Sequence, residues 1–322
     1  MGRFILRRFV QAIPTVFGIM IISFLLLRLS PADPVKLLVP PGALAEFTTE
    51  DREQLLHALG LDKPLPLQFV DFTWQAIRLD FGKSYYYNRP ARDMIFERIP
   101  NSVQPVLLGL FLALAIGIPL GFVSALNRGK GPDHGIRLAS VVLHSTPTFF
   151  LGLVIVLIIA VRLKWIPIGS MNTVGTDCTL CVDRLTHLIG PVVLYAQAGI
   201  AFWPRLIRTE VLEILSQDYI RTARSKGLRE RVVMYGHVLR NAMIPVVTSF
   251  GGILTIIFAG NVITEVVFNW PGLGRLFFDA AVSKDYPIIE AGIVMGSGLL
   301  LASYILRDIT YAFVDPRIKV GR

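Results

Sequence analysis

Six stretches of the chain are apolar over about 20 residues each, the length a helix needs to cross a hydrocarbon core about 30 Å thick. They run from about Val10 to Leu29, Ser102 to Leu126, Ile136 to Val161, Leu188 to Ile207, Ile244 to Phe268 and Ile289 to Val314. Prolines inside them (Pro14, Pro119, Pro147, Pro191, Pro204) are compatible with lipid, where neighbouring helices satisfy the freed carbonyls. The pattern predicts an all-α membrane protein with six transmembrane helices. It also divides the chain into three regions. Residues 1–29 form an N-terminal end and first helix, 30–101 a large loop, and 102–322 a core with a polar loop at 208–243.

The large loop has its own pattern. Thr48 or Thr49 is placed to cap a helix whose acidic first turn, Glu50-Asp51, suits the positive end of the helix dipole. Leu55, Leu56 and Leu59 make an apolar stripe, and Gly60 is a natural stop. Pro64 and Pro66 then open a passage expected to be extended. The result is a small cap, either a docking surface for a soluble partner or a packing lid.

Composition agrees with the spans. Of 322 residues, 53% are hydrophobic and 17% charged, against about a quarter charged in soluble domains; mean hydropathy is +0.58. The net charge of +9 flanks the apolar runs and forms no stripe with interleaved aromatics, which argues against nucleic acid. With the N-terminus inside, the short outer loops hold Arg162, Lys164, Arg184, Arg275 and Lys284, whereas the segment from Arg208 to Arg240 alone carries seven Lys and Arg. The positive-inside bias therefore puts both termini and the 208–243 loop in the cytoplasm and the 30–101 loop outside. Arg7-Arg8 before an apolar run resembles an export signal, with Ala43-Leu44-Ala45 as a mock cleavage site. The run is too long and that site too distant, so the first span is expected to stay as an anchor.

Catalytic signals are absent. Gly82-Lys83-Ser84 copies the end of a P-loop, but Ile77 stands where its first glycine belongs. Cys178 and Cys181 form a C-x-x-C that cannot complete a four-ligand zinc shell, so the pair is either a local disulfide or two thiols and no metal is expected. His57, His134, His144, His187 and His237 lie on separate segments and on both sides of the membrane, which excludes a triad. His144, Glu265, Arg307 and Asp308 sit in or near spans, each either a pathway residue or one partner of a cross-helix bond.

The most informative polar stretch is Asp218-Tyr219-Ile220-Arg221-Thr222-Ala223-Arg224-Ser225-Lys226-Gly227. Ser216 is placed to cap it, Asp218 suits its first turn, Arg224 and Lys226 its last, and Gly227 stops it. Tyr219, Ile220 and Ala223 share one side, giving a short amphipathic helix on the cytoplasmic face. Its basic face fits either a soluble partner or anionic headgroups.

This stretch resembles the EAA loop of ABC-transporter permeases, the short helix that docks on the ATP-binding subunit. Ala223 and Gly227 match that motif, while Arg221, Thr222 and Arg240 depart from its general form. The forms R-T-A-R-S-K-G and H-V-L-R-N-A-M-I-P are those of the peptide/nickel branch. The resemblance extends through Ala32-Asp33-Pro34, Leu59-Gly-Leu-Asp-Lys-Pro64, Leu79-Asp-Phe-Gly82, Asn269-Trp-Pro-Gly-Leu-Gly-Arg275, Lys284-Asp-Tyr-Pro287 and Asp315-Pro-Arg317. The long outer loop resembles that of the dipeptide/oligopeptide permease B type.

The resemblance implies a type I ABC importer permease in a bacterial inner membrane, forming half of a path for di- or oligopeptides. Nickel chelates, glutathione or sugars are the alternative cargoes, and an ion-coupled secondary transporter is the rival class. It implies no catalytic site and no cofactor in this chain, with ATP and Mg bound by two partner ATPase subunits. A second homologous permease, a substrate-binding protein and membrane lipid complete the implied partners. Tyr195, Gln197, Asn261 and Glu265 are candidates to line the path.

Overall fold

The computed structural model describes residues 2–29, 48–58, 60–176, 181–249 and 261–314. Within them the regular structure is helical: α1 (Gly2–Arg28), α2 (Thr49–Ala58), α3 (Leu65–Ile77), α4 (Ala91–Leu126), α5 (Gly131–Ser145) and α6 (Thr148–Ile155), which runs on as a π-helical segment, Val156–Arg162. There follow α7 (Val182–Leu215), α8 (Asp218–Ser225), a second π-helical segment Val232–Leu239, and the short α9 (Arg240–Ala242) and α10 (Ile244–Ser249). Next come α11 (Val262–Val267), α12 (Leu273–Ser283) and α13 (Tyr286–Val314).

Three helices among the described residues are long and apolar enough to cross a membrane: α4, α7 and α13 over Tyr286–Arg307. The expected third span is not one straight helix. Gly131–Ser145 and Thr148–Arg162 meet at 95°, and only taken together do they make a fourth candidate span. Pro147 is the cause. It has no N–H to give the preceding turn, and it drives Thr146 out of the helical region to φ −77°, ψ 120°. Of the expected fifth span, Ile244–Ser249 and Val262–Val267 are helical and 250–260 lie outside the described residues.

The central pair is α4 against α7. Gly109, Ala113, Gly117 and Gly121 recur every fourth residue and put one smooth stripe of α4 against α7. A Cβ at Gly109 would lie 2.5 Å from that of Tyr195; at Gly117, 2.6 Å from that of Trp203; at Gly121, 2.7 Å from that of Ile207 and 2.8 Å from the Pro204 carbonyl oxygen. Small residues at such a seam let backbones approach closely, so that van der Waals packing holds helices that gain nothing from hydrophobicity in lipid. Gly121→Leu is expected to cost about 1–3 kcal/mol or more, because backbone blocks the added side chain. A lower thermal unfolding midpoint in detergent checks this.

Among the described residues of the large loop, α3 and the segment after it pack on the core. Thr48 caps α2 as expected: its Oγ1 accepts from the Asp51 N–H at 3.1 Å, and its own N–H donates to Asp51 Oδ2 at 3.0 Å. Gly60 takes φ +66° just beyond. The passage from Pro64 is helical rather than extended, with Pro64 at the N-cap of α3 and Pro66 in the first turn, where a missing N–H does no harm. Phe72 and Ala76 of α3 join Phe24 of α1, Phe81, Ile95 of α4, Leu273 of α12 and Ile288 of α13 in one buried cluster. Ser84, the last residue of the mock P-loop, donates to the buried Asp285 carboxylate, which also accepts from the Tyr85 N–H at 3.1 Å. The loop thereby seats on the segment between α12 and α13.

Candidate functional site

Helix α8 begins directly where α7 ends. Ser216 closes α7 instead of capping α8: its hydroxyl donates to the Glu213 carbonyl at 2.7 Å, and Gln217 takes the N-cap position of α8 with no side-chain cap bond. The other end is firmly stopped. The Leu228 N–H reaches the Ala223 carbonyl at 3.4 Å and the Gly227 N–H reaches the Arg224 carbonyl at 2.9 Å. With Gly227 at φ +75°, these two bonds are a Schellman motif.

One face of α8 is sealed to the protein. Ile220 is fully buried and Ala223 nearly so, in a cluster with Val211 and Ile214 of α7, Val233 and Val238 of the π-helical segment, and Val246 of α10. Tyr219 does not join that face; it is half exposed, and its hydroxyl accepts from Asn241 Nδ2 at 3.2 Å. Asn241 belongs to the H-V-L-R-N stretch, so that stretch pins the near end of α8. Asp218, Arg221, Thr222, Ser225 and Lys226 face outward. Arg224 grips Glu230 with two bonds, Nη2 to Oε1 at 2.8 Å and Nε to Oε2 at 3.3 Å.

The guanidinium of Arg224 holds the Glu230 carboxyl below its ordinary range. A carboxyl lowered on folding stabilises above its unfolded pKa, and that contribution is lost as pH falls through the folded value. Both groups are exposed, so the pair is worth at most about 1 kcal/mol. Glu230→Gln is therefore expected to lower the unfolding midpoint slightly at neutral pH and not at all at acid pH; melting curves at the two pH values check it.

Ahead of α8 along the chain, a buried ion pair fixes α7. Asp133, on the first turn of α5, accepts from Arg208 Nε at 2.7 Å and Nη2 at 2.9 Å, from Ser124 Oγ at 2.6 Å and from the Gly129 N–H at 2.9 Å. Helix α7, helix α4 and the turn between α4 and α5 thus converge on one carboxylate. Sequence reading counted Arg208 only as a positive-inside charge and passed over Asp133. An acid inside the first turn of an otherwise basic inner loop was the available signal.

The four path candidates occupy two places. Tyr195 and Glu265 come together, hydroxyl to Oε1 at 3.4 Å. Glu265 is fully buried and also accepts from Ser102 Oγ at 2.8 Å and from the Arg275 N–H at 2.8 Å. Its carboxylate thus satisfies the start of α12, where the Leu273 N–H bonds Ser102 Oγ at 2.8 Å. The N-W-P-G-L-G-R stretch wraps this acid. A Cβ at Gly272 would strike the Glu265 carboxylate, Trp270 Nε1 donates to the Asn101 carbonyl at 2.7 Å, and Arg184 lies over the Trp270 ring while bonding Gln104. Replacing Glu265 with alanine strands these buried donors. Loss of about 3 kcal/mol is expected, much of it recovered by glutamine, as thermal unfolding of the two variants would report.

Gln197 lies at the α5–α6 break, where its Nε2 donates to the Leu143 and Thr146 carbonyls at 3.0 and 2.8 Å. It satisfies the acceptors that Pro147 frees. Asn261 caps α11, accepting the Thr264 N–H at 3.1 Å. His144 is exposed beside the break and makes no hydrogen bond among the described residues. Arg307 lies over the Tyr304 ring. Cys181 stands at the N-cap of α7, and Cys178 lies outside the described residues, as does the side chain of Asp308.

Known proteins are similar to this chain from end to end. Residues 117–320 match the family described as binding-protein-dependent transport system inner membrane component, and residues 1–105 match the N-terminal family of such membrane components. Similar proteins include the oligopeptide transport system permease protein AppB of Bacillus subtilis, 38% identical over 99% of this chain and 100% of the relative. The di/tripeptide transport system permease protein DppB of Pseudomonas aeruginosa is 33% identical over 99% of each. A probable peptide ABC transporter permease protein, y4tP of Sinorhizobium fredii, is 34% identical over 99% of this chain and 100% of the relative. This chain belongs to the family of binding-protein-dependent transport inner-membrane components: it is a multi-pass membrane protein and an ABC-transporter permease subunit.

Proposed function

We propose that this permease imports di- or oligopeptides as half of a heterodimer with a second, homologous permease. It has six transmembrane helices in the type I arrangement, with both termini on the cytoplasmic side of a bacterial inner membrane. Two ATPase subunits bind ATP and Mg and drive transport, and an extracytoplasmic binding protein delivers the cargo. The peptide transport in the names of the three relatives supports this cargo over nickel chelates, glutathione or sugars.

The observation that carries the coupling role is the construction of α8. One face is buried on the core, the far end is locked by Gly227, and the outward face presents Arg221, Thr222 and Lys226 to a partner. A short helix so held transmits a push as displacement of α7 and α10, where a loose loop would absorb it. Tyr195, Gln197 and Asn261 contribute to the path wall near the α5–α6 break and the start of α11, with Glu265 holding the wall's outer end in shape.

Purification of the assembled transporter tests the reading. Stoichiometric ATPase subunits and vanadate-sensitive, binding-protein-dependent peptide uptake into vesicles are expected. Uptake driven by an ion gradient without ATPase subunits would instead establish the secondary-transporter class.

A further inference from the structure

The bend between α5 and α6 leaves backbone polar groups open at mid-membrane depth. Gln197, whose Nε2 bonds the Leu143 and Thr146 carbonyls there, is the sixteenth of the 34 residues of α7, a helix long enough to cross a bilayer. The bend therefore lies beside the middle of a crossing helix. Among the described residues, nothing accepts from the N–H groups of Thr148, Phe149 and Phe150 at the start of α6. Nothing among them donates to the carbonyls of His144 and Ser145 at the end of α5. Helix ends always leave such groups, and near an aqueous surface water satisfies them. Lipid cannot.

Non-helical backbone at membrane depth is tolerated only where protein buries it or where it lines a water-filled cavity. This chain does not bury it, since His144, Ser145, Phe149 and Phe150 are all exposed. Polar side chains at that depth, here His144 and Ser145, face a cavity for the same reason. Gln197 supplies a second, independent sign. It is only 5% exposed, and no donor among the described residues reaches its Oε1. A buried acceptor left unpaired is costly, so this one is held for a donor that arrives from outside the chain.

The two helix ends differ in sign. The end of α5 presents carbonyl oxygens and the negative pole of its dipole, and the start of α6 presents N–H groups and the positive pole. A guest with N–H donors beside carbonyl acceptors satisfies both, and that is the repeating unit of a peptide main chain. Backbone groups read this unit without reading side chains, as transport of many peptide sequences requires.

We propose that the α5–α6 bend is a binding station for the main chain of the peptide in transit. The His144 and Ser145 carbonyls and Gln197 Oε1 take its N–H groups, and the Thr148 and Phe149 N–H groups take its carbonyl or C-terminal carboxylate. This rests on the peptide-import reading and names the part of the chain that meets the cargo.

The test uses the assembled transporter in vesicles, with its binding protein saturated by peptide. A photo-cross-linking residue at the exposed position Ser145 is expected to capture trialanine and a tripeptide of bulky side chains in comparable yield during turnover. Placed at Phe149 instead, it is expected to give the same result. Methylating the internal amide nitrogens of the peptide removes N–H donors and is expected to lower capture and uptake about three- to tenfold, the worth of one hydrogen bond. Capture that follows the side chains and ignores N-methylation would overturn the proposal. So would cross-links to lipid or to the second permease alone while peptide uptake proceeds, and then the transport reading still stands. A wild-type transporter that imports no peptide would overturn that reading and the station with it.

Discussion

Gly227→Val is expected to leave membrane insertion and assembly intact while peptide uptake falls about tenfold or more and ATP hydrolysis continues. Gly227 holds φ +75°, a region that a β-branched residue enters at a cost of about 1–3 kcal/mol. The strain falls on the two bonds that stop α8, from Leu228 to Ala223 and from Gly227 to Arg224. A helix freed at that end frays or shifts, and each 1.4 kcal/mol moves a population about tenfold. A large residue at Ala223 acts from the other side by lifting α8 off Val233 and Val238. Parallel assays of ATP hydrolysis and uptake on reconstituted variants check both, and normal uptake by either would sink the coupling role.

Arg208→Ala is expected to be the most damaging single change to stability. It leaves Asp133, whose side chain is 1% exposed, as a buried carboxylate without its countercharge. Breaking a buried pair this way costs about 3–5 kcal/mol. Asp133→Ala is expected to cost less, since Arg208 is 20% exposed and keeps some water. Replacing both together with Leu and Met is expected to restore part of the loss, because two apolar groups leave no charge stranded. Thermal unfolding of the two single variants and the double one in detergent gives the comparison. The pair also ties α7 to α4 and α5 ten residues before α8 begins, so uptake is expected to fall with stability.

The apolar runs marked α4, α7 and α13 because length and hydropathy are properties of a segment taken alone. Direction is not. The 95° turn at Ser145–Thr148 has the same composition as a straight span, and only Pro147 hinted at it. Ser216 was misassigned because it lies between two helices, and its hydroxyl serves the one before. The Pro64–Pro66 pair suggested extension, whereas it sits at the start of α3, where proline is pre-shaped for a helix. The glycine seam of α4 was readable from spacing alone, at Gly109, Ala113, Gly117 and Gly121.

At the candidate site, the stop at Gly227 and the buried pair Ile220 and Ala223 followed from local pattern. Long-range partners did not. Nothing near Tyr219 in sequence announces Asn241, and nothing near Glu265 announces Ser102, 163 residues away. Those contacts turned family motifs that read as a signature into parts with work to do: H-V-L-R-N holds α8, and N-W-P-G-L-G-R closes on Glu265.

The central claim is that α8 is where ATP-driven motion enters this chain, and a photo-cross-linking residue at Thr222 tests it most directly. Thr222 faces outward from the helix, and on a coupling helix it is predicted to cross-link to an ATPase subunit in the assembled transporter, with a yield that changes on adding ATP and vanadate. Cross-links to phospholipid alone, unchanged by nucleotide, would make α8 a basic helix resting on the membrane and contradict the account.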